Sequence, residues 1–229
     1  MSRPPNEVRE QIRRSGLEAG GPGTAWHGPS LVAVRQRTRV VEVSTAYDYH
    51  LADGAHWAVV RQVGQSTAKK VVRFVLWLDQ YFTHRFEMRT TDGELLVTLT
   101  LTRPRKVFRS RVEVRDPTAR PLGQLRQQNV IGKIRFELED SEGRLIGRLD
   151  AENFRGWDFA VLAADRTEIG RVIKTWEGWA RNLLTPTDHY VMASQQPLDG
   201  DLGPLVLLMP VMIDLAIKQD WRGAGGGVG

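Results

Sequence analysis

The chain has 229 residues, with 32 Lys or Arg against 27 Asp or Glu, which gives a formal net charge of +5 at neutral pH. This length is enough for one globular domain with a sizeable core, and 41% hydrophobic with 26% charged residues is ordinary for a folded protein. The chain has no cysteine, which excludes disulfides, cysteine-ligated zinc, thiol nucleophiles and palmitoyl anchors. The small positive excess permits contact with an anionic partner without requiring one.

The chain begins with a polar segment that has no apolar run of the kind that signal peptides carry. We expect residues 1–25 to form a disordered tail, with at most a short helical turn over residues 6–14. The opposite end is nearly all glycine, so residues 222–229 are predicted to be a second disordered tail. One domain is therefore predicted over residues 26–221, and its expected location is cytoplasmic.

Apolar and polar residues alternate with period two through most of this domain, which is typical of strands with one buried and one exposed face. The alternating runs are at 84–89, 95–102, 108–115 and 134–139, and further strands are predicted near 31–35, 38–43, 57–63, 71–78, 145–150, 159–163 and 168–175. Short turn signals separate them: Asp53-Gly54, Asp92-Gly93, Asp116-Pro117, Glu142-Gly143 and Asp165-Arg166. Many short antiparallel strands joined by tight turns predict a mainly β fold, either a sandwich or a barrel.

One segment near the C-terminus breaks this rhythm, because residues 205–217 are apolar on every side and carry a single charge, Asp214. The span 202–217 would measure about 24 Å as a helix, which is short of the roughly 30 Å hydrocarbon core of a membrane. A charge such as Asp214 inside that core would add about 2.5–3.5 kcal/mol. We therefore predict a central helix over about residues 203–219, threaded through the barrel and kinked at Pro210.

Four stretches carry a resemblance to a known family. They are Phe86–Glu94 with the strand that ends at Arg103-Pro104, Val112–Pro117 with Pro121–Gln127, Gly170–Gly178, and the C-terminal pieces Asp188-His189-Tyr190, Pro197-Leu198-Asp199 and Met212-Ile213-Asp214. In order and spacing, this part of the chain resembles the phospholipid scramblases and their LURP-one-like relatives, which share the tubby C-terminal-like fold. The resemblance implies a closed antiparallel twelve-stranded barrel around a central hydrophobic C-terminal helix. It also implies association with lipid and a contribution to transbilayer phospholipid movement.

The resemblance also indicates a place for calcium, because the loop before the last helix is the proposed calcium site of eukaryotic scramblases. In this sequence Pro186 stands where that family often has a carboxylate, and the candidate oxygen ligands are Asp188, Asp199 and Asp201. Calcium takes six to eight oxygens, so three carboxylates would need support from other groups. In the alternative interpretation, Asp199 or Asp201 caps the central helix and Asp188 shapes a turn. No other cofactor is expected.

A basic run between two predicted strands provides the candidate lipid-binding residues Arg103, Arg105, Lys106, Arg109 and Arg111. Each such charge contributes about 1 kcal/mol near an anionic bilayer. The alternative is an ordinary solvated strand face. Nucleic acid is not expected as a partner, because the run lacks the interleaved exposed aromatic residues that bind single strands.

Sequence motifs of catalysis do not occur: there is no HExxH, no GxSxG and no Gly-rich phosphate loop before a helix, so an enzyme is not expected. Two functions stay open, and a third possibility, the binding of a small apolar ligand in the barrel, requires that the central helix leave room. The first is a scramblase-like protein that binds anionic phospholipid headgroups peripherally, at the inner face of the plasma membrane. The second is an interaction or scaffold module of the LURP-one-like type without lipid activity. Ion pairing of the basic run with Glu113 or Asp116 would favour the second, and the sequence indicates no particular oligomeric state.

Overall fold

A computed structural model describes residues 5–18, 29–38, 45–63, 84–102, 110–129, 134–152, 158–175, 189–195 and 200–215. Within them, twelve strands form a closed barrel in which every strand runs antiparallel to its neighbours in sequence, and the first strand pairs with the last. In chain order they are β1 (Leu31–Thr38), β2 (Thr45–Leu51), β3 (His56–Val63), β4 (His84–Thr90), β5 (Leu95–Thr102), β6 (Arg111–Arg115), β7 (Pro121–Gln127), β8 (Arg135–Asp140), β9 (Leu145–Ala151), β10 (Asp158–Ala163), β11 (Glu168–Thr175) and β12 (His189–Ser194). The predicted fold class is confirmed.

The alternating pattern places apolar side chains inside the barrel. In β5, Val97, Leu99 and Leu101 are buried, while the residues between them are only partly buried. Directly paired residues of neighbouring strands lie on the same face of the sheet, so the pairing of Leu99 with Val114 continues the buried row into β6. The interior is one connected apolar core.

Three strands were not predicted by alternation. β12 is buried at every position, since one face meets the barrel interior and the other is covered from outside, so it has no polar face to alternate. β7 starts at Pro121 and contains Gly123, both of which weaken a strand signal. β2 does alternate, with Tyr47 and Tyr49 buried on either side of Asp48, and this signal was overlooked. The predicted strand near 71–78 lies outside the described residues, as does most of the one near 38–43.

The apolar C-terminal segment fills the barrel as two helical pieces. α2 (Leu202–Leu207) is followed by a turn at Leu208, and residues 209–215 are helical again; together we call residues 202–215 the central helix. Residues 203–214 are all buried, and their apolar side chains belong to the same core as the barrel wall. The interruption lies two residues before Pro210, which has no N–H to donate and disfavours helical geometry in the preceding residues. Residues 216–219 of the predicted helix lie outside the described part of the chain.

The two ends of the barrel differ in how the strands are joined. At one end, which we call the turn end, tight turns follow β2, β4, β6, β8 and β10. At the other end, the connection end, the strands are joined by the segments after β1, β3, β5, β7, β9 and β11, all of which include residues outside the described ranges. The central helix enters at the turn end, where Asp201 meets Arg120 of the β6–β7 turn.

The predicted disordered tail over residues 1–25 is wrong for residues 5–15, which form helix α1 (Pro5–Ser15) against the outside of the barrel. Val8 and Ile12 are four residues apart, so they share one helix face, and both are buried against an outer patch on β1 and β12. The short helical turn expected over residues 6–14 lies within this helix, but with so few apolar residues among many charges the sequence did not indicate that it packs on the barrel. Residues 1–4, 19–25 and 222–229 lie outside the described ranges.

Candidate functional site

The predicted basic run lies between β5 and β6 in the sequence. Of its five cations, Arg103, Arg105, Lys106 and Arg109 lie outside the described residues, and Arg111 is the first residue of β6. The side chain of Arg111 is 51% exposed, and its guanidinium lies 3.6 Å from Glu113, which also faces Arg115 at 3.6 Å. Such exposed and loose ion pairs contribute little to stability, about 0–1 kcal/mol each. Arg111 is therefore accessible to an anionic ligand but has a carboxylate as a neighbour.

Of the predicted calcium ligands, Asp201 is described and Asp188 and Asp199 are not. Asp201 occupies the N-cap position of α2, but its side chain makes no capping hydrogen bond to the described helix backbone. Its carboxylate instead pairs with Arg120 at 3.3 Å, and Arg120 also pairs with Asp116 at 3.0 Å. His189, which follows Asp188 in sequence, starts β12 at the connection end, so β12 separates it from the turn end where Asp201 lies.

Calcium does not fit the carboxylates that can be assessed. Among the described residues, no group of three or more His, Asp or Glu side chains is arranged to hold a metal ion. A guanidinium against the Asp201 carboxylate satisfies that charge and would repel a cation at the same place.

Asp214 is the one charged residue among the described positions of the central helix, and it is fully buried. The hydroxyl of Tyr47 donates to one of its carboxylate oxygens at 2.8 Å, and the hydroxyl of Tyr190 donates to the other at 3.4 Å. Burial raises the pKa of Tyr47 well above its usual value, and the neighbouring Asp214 raises it further. Tyr47 is thus held as a neutral donor. Tyr47 lies on β2 and Tyr190 on β12, and these are the two strands that flank β1. The two hydrogen bonds therefore connect the end of the central helix to both neighbours of β1.

A second tyrosine of β2 contacts the helix differently. The hydroxyl of Tyr49 donates at 3.0 Å to the backbone carbonyl of Leu207, at the point where the helix is interrupted. Burial raises the pKa of this hydroxyl as well. The buried hydroxyl of Tyr49 is thereby satisfied, and β2 is bonded to the helix backbone at its interruption.

The barrel interior becomes polar toward the connection end. Directly paired residues of neighbouring strands lie on the same face of the sheet, so a polar residue paired with a core residue faces the interior. Three such pairs are Gln36 with Tyr47, Gln62 with Phe86, and His84 with Leu101. By the same pairing and alternation the interior set is Gln36, Gln62, His84, Ser110, Gln127 and Lys174. Several satisfy one another; Gln62 Nε2 and His84 Nδ1, for example, are 2.6 Å apart. The set was missed because each member interrupts a different apolar strand only once.

Outside the barrel, a buried arginine connects α1 to β1. Arg35 is 6% exposed, its Nε donates to Gln11 Oε1 at 2.7 Å, and its guanidinium lies 3.7 Å from the carboxylate of Glu7. Gln11 Nε2 in turn donates to the backbone carbonyl of Tyr190 at 3.1 Å. Sequence reasoning could not find this contact, because the residues on α1 are 24 or more positions away from those on the barrel.

A histidine pair lies beside this contact on the outer faces of β2 and β3. His50 and His56 are paired across the two strands, with ring centroids 5.1 Å apart, and His56 Nε2 lies 3.5 Å from the carboxylate of Asp48. Arg37 also pairs with Asp48. Burial lowers the pKa of His50, and the nearby His56 lowers it further. His50 is thus neutral at a pH where a free histidine is already partly protonated.

None of the helices in the described part of the chain is long and apolar enough to cross a membrane.

Removal of single tyrosine hydroxyls should separate the two helix contacts. Tyr47→Phe leaves the buried carboxyl of Asp214 with one donor fewer, and we expect the free energy of unfolding to fall by about 1.5–3 kcal/mol, as for hydrogen bonds to charged groups. The matched control Tyr49→Phe removes a bond to a neutral carbonyl and should cost about 0.5–1.5 kcal/mol. Urea denaturation at neutral pH measures both. Equal losses, or a larger loss for Tyr49→Phe, would contradict a special role for Asp214.

Acid should destabilise the fold in part through His50. Because the pKa of His50 is lowered in the folded state, the folded state binds a proton at His50 less readily than the unfolded state does. In the unfolded state the pKa of a histidine is about 6.5. The free energy of unfolding should therefore decrease as the pH falls below about 6.5, and His50→Gln should reduce this dependence. Thermal denaturation of both proteins between neutral and mildly acidic pH tests this. The same pH dependence in His50→Gln as in the unchanged protein would show that His50 does not contribute.

Comparison with known proteins agrees with this architecture. A family model described as Scramblase matches residues 29–217, a span that contains all twelve strands and the described central helix, while α1 precedes it. A search of curated proteins finds no match. Because the matched span covers most of the sequence, the chain belongs to the Scramblase family.

Proposed function

We propose that this protein is a phospholipid-associated member of its family, which binds anionic headgroups peripherally and contributes in that way to transbilayer phospholipid movement. The observation that carries the proposal is the family membership over residues 29–217. The proposed location is cytoplasmic, at the inner face of the plasma membrane, and the proposed role involves no catalytic group of the chain.

The burial of the central helix supports a peripheral mode. Residues 203–214 are the most apolar segment, and all of them are buried inside the barrel. Inserting them into a bilayer would first require emptying the barrel, and each large apolar side chain removed from such a core costs about 2–5 kcal/mol. Contact with lipid therefore falls to the outer surface and the ends of the barrel.

The connection end is the proposed contact surface, because β5 ends and β6 begins there. The sequence between and at the start of these strands carries the basic run Arg103, Arg105, Lys106, Arg109 and Arg111. At Arg111, two effects of similar size compete. Its exposed pair with Glu113 at 3.6 Å is worth about 0–1 kcal/mol, and a cation near an anionic bilayer gains about 1 kcal/mol. Arg111 alone would thus bind weakly, and the proposal requires several cations of the run to act together.

The second candidate, an interaction or scaffold module without lipid activity, is favoured by the ion pairing on the outer face. Glu113 lies between Arg111 and Arg115, and Arg126 pairs with both Glu137 and Glu139. A surface on which cations are already matched by carboxylates attracts an anionic membrane less than one with free cations. Vesicle binding distinguishes the two functions.

The test is flotation of the purified protein with vesicles of phosphatidylcholine alone and of phosphatidylcholine with phosphatidylserine at about three to one, each with calcium and with chelator. We expect binding to the anionic vesicles only, weakened by added salt and equal in calcium and chelator. A fluorescent-lipid assay for transbilayer movement would follow. Absence of binding to anionic vesicles would favour the scaffold module.

A charge-matched pair of variants locates the binding surface. The first replaces Arg103, Arg105, Lys106 and Arg109 with Gln at the connection end, and the control replaces four cations at the turn end, Arg89, Arg120, Arg144 and Arg166, with Gln. Both sets remove the same charge. If the connection end faces the membrane, only the first variant loses anionic binding; equal losses would indicate a general charge effect.

A further inference from the structure

The outer surface of the barrel changes character beneath α1. On β6 to β9 the outward residues are mostly charged, as in the row of Arg111, Arg126, Glu137 and Arg148, which are paired across four strands. On β1 and β12, by contrast, the outward residues Leu31, Ala33, Val191 and Ala193 are apolar. An apolar patch on the outside of a barrel is unusual for a surface exposed to water. Here it is buried because α1 covers it.

The patch has a cation at its edge. Arg35 follows Ala33 by two positions on the same outward face of β1, and its guanidinium is held by Gln11 Oε1 at 2.7 Å and faces Glu7 at 3.7 Å. On the side toward β2, Asp48 pairs with Arg35 in the strand register, but its carboxylate is shared with Arg37 and with His56 at 3.5 Å. Departure of α1 would take Gln11 and Glu7 away from the guanidinium of Arg35.

The contacts of α1 therefore combine two features: apolar side chains on a flat outer patch and a carboxylate against an arginine beside it. A phospholipid in a bilayer surface offers the same combination, an apolar region next to an anionic phosphate. Arginine binds phosphate and carboxylate oxygens with the same guanidinium donors. The covered face thus has the chemistry of a contact with an anionic lipid surface.

The cover is a short helix. α1 has eleven residues, which is marginal for a helix alone in water. It is held by the buried side chains of Val8 and Ile12, by the Gln11 and Glu7 contacts, and by one bond from Arg9 to the carbonyl of Asp53. Short segments docked on the outside of a domain open locally at a lower free energy than global unfolding requires. α1 also lies outside residues 29–217, which match the family.

We propose that the outer face of β1 and β12, centred on Leu31, Ala33, Val191, Ala193 and Arg35, is a phospholipid-binding face, and that α1 occupies it as an internal competitor. This inference rests on the proposed association with anionic phospholipid, and it adds a second contact site and its regulation. Release of α1 exposes the apolar patch and Arg35 together, so the protein binds an anionic bilayer more tightly when α1 is displaced.

One turn offers a way to displace α1 with a matched control. Gly54 in the β2–β3 turn has φ +88°, and a Cβ there would lie 2.6 Å from the backbone oxygen of Pro5 and 2.8 Å from its Cα. Gly143 in the β8–β9 turn has φ +81°, and a Cβ there would meet no described atom within 4 Å. Gly54→Ala and Gly143→Ala therefore carry the same left-handed backbone strain, but only Gly54→Ala collides with α1.

The experiment first measures amide hydrogen exchange of residues 5–15 in both variants, and then their flotation with phosphatidylcholine vesicles and with the phosphatidylcholine–phosphatidylserine vesicles. We expect faster exchange of α1 in Gly54→Ala and binding to the anionic vesicles about tenfold tighter than that of Gly143→Ala, which corresponds to about 1.4 kcal/mol. If α1 stays protected in Gly54→Ala, the experiment uses Val8→Asn instead, because this variant places an amide in the buried face of α1. Released α1 without any gain in binding overturns the inference.

A further variant tests the role assigned to the arginine. Adding Arg35→Gln to Gly54→Ala should return anionic binding to the level of Gly143→Ala, while α1 stays released. A double variant that keeps the full gain would show that Arg35 does not bind the headgroup. The inference and the proposed function fail separately: failure of the unchanged protein to bind anionic vesicles contradicts the proposed function, whereas the inference depends on the difference between Gly54→Ala and Gly143→Ala.

Discussion

The packing of the C-terminal helix inside the barrel is the constraint on which the rest of the structure depends. Eight strands already enclose a space that wall side chains just fill, so a twelve-stranded barrel needs further material in its centre. Residues 203–214 provide it, and because they are apolar on all sides they can be stable only where no water reaches them. The single carboxylate in this segment is tolerated because Tyr47 and Tyr190 donate to it from the wall.

A filled barrel leaves function to its surface and ends. In the described part of the chain, the central helix occupies the interior, and its apolar side chains belong to the same core as those of the wall. The outer faces of β6 to β9 carry mostly charged residues, several of them paired, and the apolar patch on β1 and β12 is covered by α1. The basic run after β5 and the face beneath α1 are therefore the two surfaces on which our account of lipid association rests.

Much of this architecture could be predicted from sequence, because the responsible patterns are local. Leu95–Thr102 alternates strictly, and residues 205–217 are apolar on every side, so the strands and the central helix were recognised. β12 was missed because both of its faces are buried. A helical turn was expected over residues 6–14, but the packing of α1 on the barrel was missed because two apolar residues on a charged segment resemble a tail. The contacts of Arg35 and Asp214 could not be predicted from the sequence, because they join residues that come together only when the chain folds.

The central claim is that the C-terminal helix is the core of the barrel and stays there at a membrane, and amide hydrogen exchange of residues 205–213 tests it most directly. We expect these amides to be among the slowest to exchange, at rates set by global unfolding, and to keep their protection when anionic vesicles are added. Fast exchange in solution would contradict the threaded helix. The account would also be contradicted if adding anionic vesicles removed the protection of the barrel strands and changed the exchange rate of residues 205–213. That result would show that the helix leaves the barrel to enter the bilayer.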